Sequence, residues 1–364
     1  RANLDAALHS VGYEGRIERI GTHRYALTPS IIERSDVIGV ASRLFGVASV
    51  DTVVDLPFTT MEELADRVAM LVAPNVAGRS FAVRVRRRGQ HDWQSIDLAS
   101  AAGARLVEAG GKVDLTDPDE TVSVSVIDDQ AFLVTEHVRA AGGLPLGTQD
   151  RLLCLISGGF DSVVAAWLLM ARGCPVDFVH FSLNCAQSDH AIAVAREMWS
   201  DWGYGTDPTV HLVEFQPVKD ALFEHVDARM RQVTLKVMMA RAAERIAHTQ
   251  GIQAVITGDA LGQVSSQTLP HLVAVSGAVK LPILRPLVGL PKETIIDMAR
   301  RIGTAELSAR AQEVCDLSEG RPVATAASST RVADSVGALP EVVLEDVLDT
   351  TKTFRLADWT PGQI

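Results

Sequence analysis

Residues 152–172, LLCLISGGFDSVVAAWLLMAR, constrain the fold of this chain more than any other stretch. A short apolar run at 152–156 has strand character, and a second apolar run, at 163–170, has helical length. The turn between them contains two glycines, which let the backbone approach a phosphate, and two serines, which offer hydroxyl donors. Strand, glycine-rich turn and helix in this order predict an α/β domain that binds an anion at a helix N-terminus. An ordinary βα turn of small residues is the alternative.

The alternation of strand and helix patterns continues after residue 172 and predicts a doubly wound parallel sheet. Further strands are expected at 176–181, 210–215, 254–257 and 281–287, and helices at 189–199, 221–251 with a break, and 292–302. Ligands of such sheets lie at the carboxyl ends of the strands. The loop at 157–162, His180 with Phe181, and residues 258–263 all follow predicted strands, so we expect them to converge on one edge.

The part of the chain before this domain predicts smaller α+β units. Short strands at 16–20 and 24–27 and a helix at 35–44 fit an incomplete unit over residues 1–50. Helices at 60–71 and 96–108 alternate with strands at 80–86 and 121–127 over residues 51–137. Glycine and proline are frequent at 140–150, which indicates a linker or tight loop. The boundaries that we expect are therefore 1–50, 51–137, 138–330 and a tail or linker at 331–364.

Four arginines cluster in the predicted strand at 80–86 and directly after it, followed by His91 and Trp93. They are Arg84, Arg86, Arg87 and Arg88. In a chain with a net charge of −11, such a cluster can be a phosphate-binding patch for RNA. A solvated strand face followed by a basic turn explains the same pattern equally well.

Composition excludes several classes of protein. No apolar run approaches the length of a membrane span, so no membrane partner is expected. The four cysteines, at 154, 174, 185 and 315, form no C-x-x-C pair and favour a reducing cytoplasm over a disulfide framework. A metal site formed by Cys185, Asp189 and His190 is weakly indicated at most, and we expect no resident metal site.

The glycine-rich turn lacks the lysine of a Walker A motif. Such a loop suits cleavage of ATP between its α and β phosphates better than transfer of the γ-phosphoryl group. Asp161 would then position Mg²⁺ or the substrate, and the loop amides would hold the leaving pyrophosphate.

The sequence SGGFDS at 157–162 resembles the PP-loop of the ATP pyrophosphatase superfamily. More narrowly, the chain resembles the tRNA 4-thiouridine synthase (tRNA sulfurtransferase) family. The segments that carry this resemblance are GGLPLG at 142–147, TGDALGQVSSQT at 257–268, ILRPL at 283–287, Lys292 with Glu293, and IGT at 302–304. The arginine strand and the turn at 113–118 resemble the RNA-binding THUMP domain of that family, and residues 1–50 would be its ferredoxin-like domain.

This resemblance implies an enzyme that uses ATP and Mg²⁺ to adenylate the C4 oxygen of the uridine at position eight of tRNA. Persulfide sulfur then replaces AMP and gives 4-thiouridine. The implied nucleotide contacts are Leu155, Ile156, Ser157, Gly158, Gly159, Ser162, His180, Phe181, Lys236, Gly258 and Gln267. On spacing alone, Lys236 could equally be a solvated helical lysine, Gly258 a helix start and Gln267 a surface amide.

Three residues are candidates for catalysis. Asp161 and Lys292 would support the adenylation, although a lysine in a first helical turn is often a surface residue. Cys315 lies in the polar segment QEVCD and matches the family cysteine that resolves or carries the persulfide. Because Glu313 and Asp316 would not lower the pKa of its thiol, Cys315 could instead be a bystander.

Two alternatives are disfavoured by the sequence. Many small-molecule ATP pyrophosphatases of the amide-forming kind would be expected to carry a glutaminase domain or an ammonia channel, and neither is visible here. Asp161 and Gln267 speak against an RNA-binding protein with a vestigial nucleotide site. The sulfur donor is either a rhodanese-like domain beyond residue 364 or a separate carrier, such as one charged by a cysteine desulfurase. A role in thiamine thiazole biosynthesis and a homodimer are further possibilities that the resemblance leaves undecided.

Overall fold

A computed structural model describes residues 1–20, 23–28, 32–183, 185–311, 317 and 324–362, with the side chains of 185–187 left out. The helices are α1 (Ala2–Ser10), α2 (Arg34–Ser42), α3 (Met61–Val76), α4 (Ser95–Glu108), α5 (Phe160–Met170), α6 (Cys185–Trp202), α7 (Gln216–His225), α8 (Arg231–Thr249), α9 (Leu269–Gly277), α10 (Lys292–Ile302), α11 (Ala305–Ser308), α12 (Ser329–Gly337) and α13 (Val343–Asp349). The strands are β1 (Ile17–Ile20), β2 (Arg24–Leu27), β3 (Ser49–Asp55), β4 (Ser80–Arg88), β5 (Lys112–Val113), β6 (Glu120–Ile127), β7 (Gln130–Arg139), β8 (Leu152–Leu155), β9 (Val176–Ser182), β10 (Thr209–Glu214), β11 (Val255–Ile256), β12 (Ile283–Leu284) and β13 (Lys352–Arg355).

The chain divides into two units. One, the α/β unit, comprises Arg1–Ser10, Arg43–Val47 and Ala141–Ile364. The other, the α+β unit, comprises Val11–Ser42 and Ala48–Ala140.

The α/β unit is built on a six-stranded sheet in the order β12-β11-β8-β9-β10-β13. The strands from β12 to β10 are parallel, and β13 pairs antiparallel with β10. From β8 the chain continues to β9 on one side, and it later returns to β11 on the other side. The carboxyl ends of β8 and β11 therefore form the switch point at which ligands bind in such sheets. The predicted doubly wound parallel fold is confirmed.

Helices cover both faces of this sheet, which explains why its central strands β8, β9 and β11 are almost entirely buried. All seven residues of β9 are buried. Val179 and Phe181 belong to the core on the side of α7, α8 and α9, whereas Val176 and Phe178 belong to the core on the side of α5 and α6. The alternation of side chains along β9 thus links the two cores, and it holds the carboxyl end of the strand in place.

The C-terminal region is part of the α/β unit, so the expectation of a tail or linker at 331–364 is wrong for its described residues. β13 completes the sheet by pairing with β10. Three valines of this region, Val332, Val336 and Val347, are buried in the core beside α8.

A short segment before the α+β sheet also belongs to the α/β unit. Phe45 packs against the rings of Trp167 and Trp202, and its ring centroid lies 5.6 and 5.7 Å from theirs. Residues 43–47 therefore belong to the α/β unit and not to the expected unit at 1–50.

The α+β unit contains a five-stranded sheet in the order β3-β7-β6-β4-β5. Helices α3 and α4 pack on one face of it through a core that includes Leu64, Leu98 and Val124. Strands β4 and β6 and both helices confirm the predicted pattern, but β3 and β7 were not predicted. The described residues between 11 and 42 form the hairpin β1–β2 and helix α2. The ferredoxin-like assignment of this region stays a prediction.

None of the helices formed by the described residues combines the length and the apolar character that a membrane crossing requires.

Candidate functional site

The glycine-rich turn at 157–162 lies at the carboxyl end of β8 and leads directly into α5. Gly159 is the N-cap residue of α5. The amide of Ser157 donates to the Ser162 hydroxyl at 3.2 Å, and the two serine hydroxyls lie 3.3 Å apart. The serines therefore close the turn on itself, and the first amides of α5 face outward at a helix N-terminus. Such a terminus attracts anions through its unpaired N–H groups and its partial positive charge.

The two glycines of the turn have different structural roles. Gly158 has a φ of +80°, and a Cβ there would lie 2.8 Å from Cδ2 of His190 and 3.1 Å from Cα of Ala191. Gly159 has an ordinary φ of −82°, and its nearest contact would be the Ser157 hydroxyl at 3.9 Å. Gly158 is thus required by the packing of α6 against the turn, whereas Gly159 leaves open space above the loop for a ligand.

Asp161 is engaged by residues from two distant segments. The ammonium of Lys292 lies 2.7 and 2.9 Å from its two carboxylate oxygens. The amide nitrogen of Gln263 donates to Asp161 Oδ2 at 2.9 Å. The structure therefore brings Lys292 to the loop, although α10 begins far from it in sequence. Gln263 was not predicted as a site residue, although it lies in the TGDALGQVSSQT segment on which the resemblance depends.

Gly258 contacts the backbone of the same loop. A Cβ at this position would lie 2.7 Å from both Asp161 C and Ser162 N. No side chain fits there without a backbone shift, so the segment after β11 approaches the loop only because residue 258 is a glycine. Gly258 starts no helix, since α9 begins later, at Leu269.

A second charged cluster surrounds Asp259, the residue after Gly258. Lys236 Nζ lies 2.7 Å from Oδ1, the Thr257 hydroxyl donates to Oδ2 at 2.8 Å, and Arg285 Nε donates to Oδ2 at 3.3 Å. Burial alone would raise the pKa of Asp259, but Lys236, Thr257 and Arg285 together hold that pKa below its ordinary value of 3.8. Two cations therefore meet one buried carboxylate. Lys236 was predicted as a site residue, whereas Asp259 and Arg285 were not.

His180 is buried beneath the loop with a defined tautomer. Its Nδ1 lies 2.8 Å from the carbonyl oxygen of Ile156, which can only accept, so Nδ1 carries the proton. Burial lowers the pKa of His180, so the ring is neutral. Its Nε2 is a buried acceptor for which the described part of the chain offers no partner. The ends of β8 and β9 lie around this ring: Leu155 is the last residue of β8, Ile156 directly follows it, and Phe181 is the last residue but one of β9.

Gln267 lies in a short 3₁₀ helix, Ser265–Gln267, and is 7% exposed, so it is not a surface amide. Its backbone carbonyl accepts from the amide of Gly262 at 2.9 Å. Its side-chain Oε1 is buried, and no described residue donates a hydrogen bond to it. A buried acceptor of this kind is costly unless a ligand or water supplies a donor.

The arginines of β4 do not form one patch. In the register of β4 with β6, Arg84 and Arg86 lie opposite Ser123 and Ser125, and Arg87 lies opposite the buried Val126. Side chains alternate between the two faces of a strand, so Arg87 lies on the face opposite to Arg84, Arg86 and Arg88. Its guanidinium lies 5.6 Å from the ring centroid of Trp93. The expectation of a single patch of four arginines is therefore wrong for Arg87.

Comparison with known protein families places this site in context. Residues 147–337 match the family model of the thiamine biosynthesis protein (ThiI), which covers more than half of the chain. The chain belongs to the ThiI family. Residues 58–136 match the THUMP domain.

Relatives of this ThiI-family chain include the tRNA sulfurtransferases of Desulfurococcus amylolyticus and Shigella flexneri. They are 43% and 38% identical over 75% and 82% of the chain, which spans 58% and 62% of their own lengths. The fold is also similar to the crystal structure of a 4-thiouridine synthetase–RNA complex with bound ATP. That comparison has a TM-score of 0.82 and 23% identity, and it covers 97% of this chain and 93% of the other.

Two of the four cysteines, Cys154 and Cys174, have described side chains, and both are buried. Cys315 lies outside the described residues, and Cys185 lies in α6 with its side chain undescribed. Cys154 is fully buried, as expected for a core residue, and burial raises the pKa of its thiol. Among the described residues, no group of three or more His, Cys, Asp or Glu side chains is arranged to hold a metal ion. Because Cys315 lies outside the described residues, its role in sulfur transfer stays a prediction.

Proposed function

We propose that this chain is the adenylating part of an ATP-dependent tRNA sulfurtransferase that converts the uridine at position eight of tRNA into 4-thiouridine. The observation that carries the proposal is the open glycine turn at the N-terminus of α5, with Asp161 and Lys292 paired beside it. The relatives named tRNA sulfurtransferase and the similar synthetase with bound ATP support tRNA and ATP as the substrates that we propose.

The adenylation requires the C4 oxygen of the uridine to attack the α-phosphorus of ATP. The bond from that oxygen to the α-phosphorus forms, the bond to the bridging oxygen of the β-phosphate breaks, pyrophosphate leaves, and the N3 proton of the base is released to solvent. The amides at Gly159 and in the first turn of α5 would stabilise the charge that develops on the departing oxygens. The ammonium of Lys292 adds positive charge at the loop.

Asp161 also fits a supporting role toward Mg²⁺. This ion is commonly held by one or two carboxylates together with substrate phosphates, and it neutralises phosphate charge when bound. Lys292 and Gln263 make three contacts to the carboxylate of Asp161, which has about four acceptor positions. One acceptor position of the carboxylate thus remains for the ion. The phosphates of ATP would supply further oxygen ligands.

The base of the nucleotide would lie near the ends of β8 and β9. His180 Nε2 and Gln267 Oε1 are both buried acceptors that lack a partner within the described ranges of the chain. The amino group of adenine is a donor, so a bound adenosine could satisfy such an acceptor. Leu155, Ile156 and Phe181 would supply apolar contacts around the base.

The second step replaces AMP by sulfur. The terminal sulfur of a persulfide attacks C4, the bond from C4 to the activated oxygen breaks, and AMP leaves. A thiol then attacks the sulfur–sulfur bond of the adduct, which leaves sulfur on C4 and forms a disulfide that an external dithiol reduces. Cys315 is our candidate for this thiol, and the persulfide donor is a rhodanese-like domain or a separate carrier.

The α+β unit would bind the tRNA. Arg84, Arg86 and Arg88 share one face of β4, and the THUMP match covers this strand. Contacts from arginine to phosphate position RNA without reading its sequence.

The test is to incubate the protein with tRNA, Mg²⁺-ATP and a persulfide donor, and to follow 4-thiouridine by its near-ultraviolet absorbance. Product that requires ATP supports the proposal. Formation of AMP from a small carboxylic acid, with no thiolated tRNA, would refute it. The Cys315→Ser protein should bind tRNA and ATP normally but lose turnover, and normal turnover would make Cys315 a bystander. A role in thiamine biosynthesis stays a separate prediction.

A further inference from the structure

We propose that Asp259 is a positioning residue for ATP, which holds the ammonium of Lys236 and the guanidinium of Arg285 together at the carboxyl edge of the sheet. This inference rests on the proposed function, because the triphosphate of ATP is the ligand that the two cations would meet. It adds to the adenylation site a second charged cluster, separate from Asp161 and Lys292.

The contacts of Asp259 use both of its oxygens. Oδ1 accepts from Lys236 Nζ at 2.7 Å, and Oδ2 accepts from the Thr257 hydroxyl at 2.8 Å and from Arg285 Nε at 3.3 Å. Its side chain is 7% exposed, whereas that of Lys236 is 28% exposed. The carboxylate is thus enclosed by its partners, and of the two cations Lys236 is the more exposed, since the side chain of Arg285 is 12% exposed.

The backbone places this cluster beside the glycine-rich loop. Asp259 directly follows Gly258, which abuts the backbone of Asp161 and Ser162. Arg285 directly follows Leu284, which pairs with Ile256 at the end of β11. Asp259 and Arg285 therefore both lie at the switch point of the sheet.

The charges of the cluster do not cancel. Asp161 and Lys292 are one anion and one cation, whereas Asp259 faces the two cations Lys236 and Arg285. Arg285 donates from Nη1 to the Ser276 hydroxyl at 2.9 Å, and its Nη2 is a buried donor that has no partner among the residues that the structure describes. A surplus positive charge and an unused donor suit an anionic ligand.

Asp259 cannot contact the phosphates favourably itself, because it is an anion. Its effect must pass through the cations that it holds. Without the carboxylate, Lys236 would lose its anchor and the two cations would repel each other. A displacement of about 1 Å in a positioned group can reduce a rate about 100-fold.

The chain offers a matched control for a purely structural ion pair. Asp177 is also 7% exposed, and it accepts from Arg151 and from the amide of Thr209. It lies near the amino end of β9, at the edge of the sheet opposite to the loop. Asp177→Asn should therefore lower stability as Asp259→Asn does, but it should leave ATP binding unchanged.

The experiment measures equilibrium ATP binding, together with kcat and KM for ATP in thiolation. Asp259→Asn should reduce kcat/KM for ATP about 100-fold and weaken ATP binding, with tRNA binding retained. In a Lys236→Ala background, Asp259→Asn should cause a smaller further loss than in the wild type, because only Arg285 is then left for the carboxylate to hold. Full ATP binding by Asp259→Asn, or an equal loss in both backgrounds, would overturn the inference.

Thr257→Val keeps the proposal testable if the Asp259 variant does not fold, since it removes one neutral hydrogen bond to the carboxylate. It should weaken ATP binding in the same direction and to a smaller extent, and unchanged binding would count against the inference. The ATP-binding comparison also separates this inference from the proposed function. If the wild type forms no 4-thiouridine, the proposed function fails, but a binding loss in Asp259→Asn that is absent in Asp177→Asn still supports the positioning role.

Discussion

Lys292 Nζ lies 2.7 Å from Asp161 Oδ1 and 2.9 Å from Oδ2, although 131 residues separate the two along the chain. Asp161 lies in the first turn of α5, and Lys292 is the first residue of α10. The side chains are 23% and 37% exposed, so solvent screens the pair, and its value for stability is modest. Its position at the loop fits the supporting role in adenylation that we propose for it.

Asp161→Asn and Lys292→Met should each reduce the rate of 4-thiouridine formation about 100-fold or more, since the first removes the carboxylate that would hold Mg²⁺ and Lys292, and the second removes positive charge beside the departing pyrophosphate. Binding of tRNA should be unchanged, as measured by filter binding. Asp297→Asn is the control, because it removes an exposed ion pair with Arg300 on the same helix. Turnover that falls equally in the control would show that the loss reflects damage to α10.

The two glycines of the loop should respond differently to alanine. Gly158→Ala should lower the free energy of unfolding by about 2 kcal/mol, because it combines a strained φ of +80° with overlap against His190. Gly159→Ala should leave stability nearly unchanged and weaken ATP binding, since its methyl group would occupy the space above the loop. Urea denaturation and ATP titration distinguish the two outcomes. Loss of stability in Gly159→Ala would contradict this assignment of roles.

The parts of the fold that were predictable from sequence are those with local causes. The strand, turn and helix at 152–172 follow from apolar runs around glycines. The end of α10 follows from Gly303, which has a φ of +98° at the C-cap. In each case, the residues that determine the structure are neighbours in the chain.

Long-range pairing explains what the sequence did not reveal. β13 is a strand because Lys352–Arg355 pairs with β10, although its own residues show little periodicity. Gln263 reaches Asp161 across 102 residues, and no spacing rule predicts that contact. The opposite faces of Arg86 and Arg87, in contrast, follow from the period of a strand and were predictable.

Stability should fall as the pH drops below about 6.5, the ordinary pKa of histidine. Burial lowers the pKa of His180 below that value, so the unfolded chain takes up the proton first. The stabilising contribution is therefore complete above pH 6.5 and is lost progressively toward the lower folded-state pKa, at up to about 1.4 kcal/mol per pH unit. His211 and His271 act in the same direction, since burial lowers their pKa values as well.

Urea denaturation at several pH values would measure this effect. His180→Asn should show a smaller fall in unfolding free energy with pH than the wild type. His248→Asn, which changes an exposed residue in the last turn of α8, should show the wild-type slope. An unchanged slope in His180→Asn would mean that this histidine does not contribute.

The two faces of β4 should contribute differently to tRNA binding. Arg86→Ala should weaken binding and reduce the slope of log K against log salt by about one, because each lost phosphate contact releases one counterion fewer. Arg87→Ala should leave the slope unchanged, since its guanidinium lies over Trp93 on the opposite face. Both substitutions remove one positive charge from neighbouring positions, so they are matched in net charge and local propensity. Equal slopes for the two variants would indicate that tRNA binding depends only on the net charge of the unit. The proposal that tRNA binds to the face with Arg84, Arg86 and Arg88 would then be wrong.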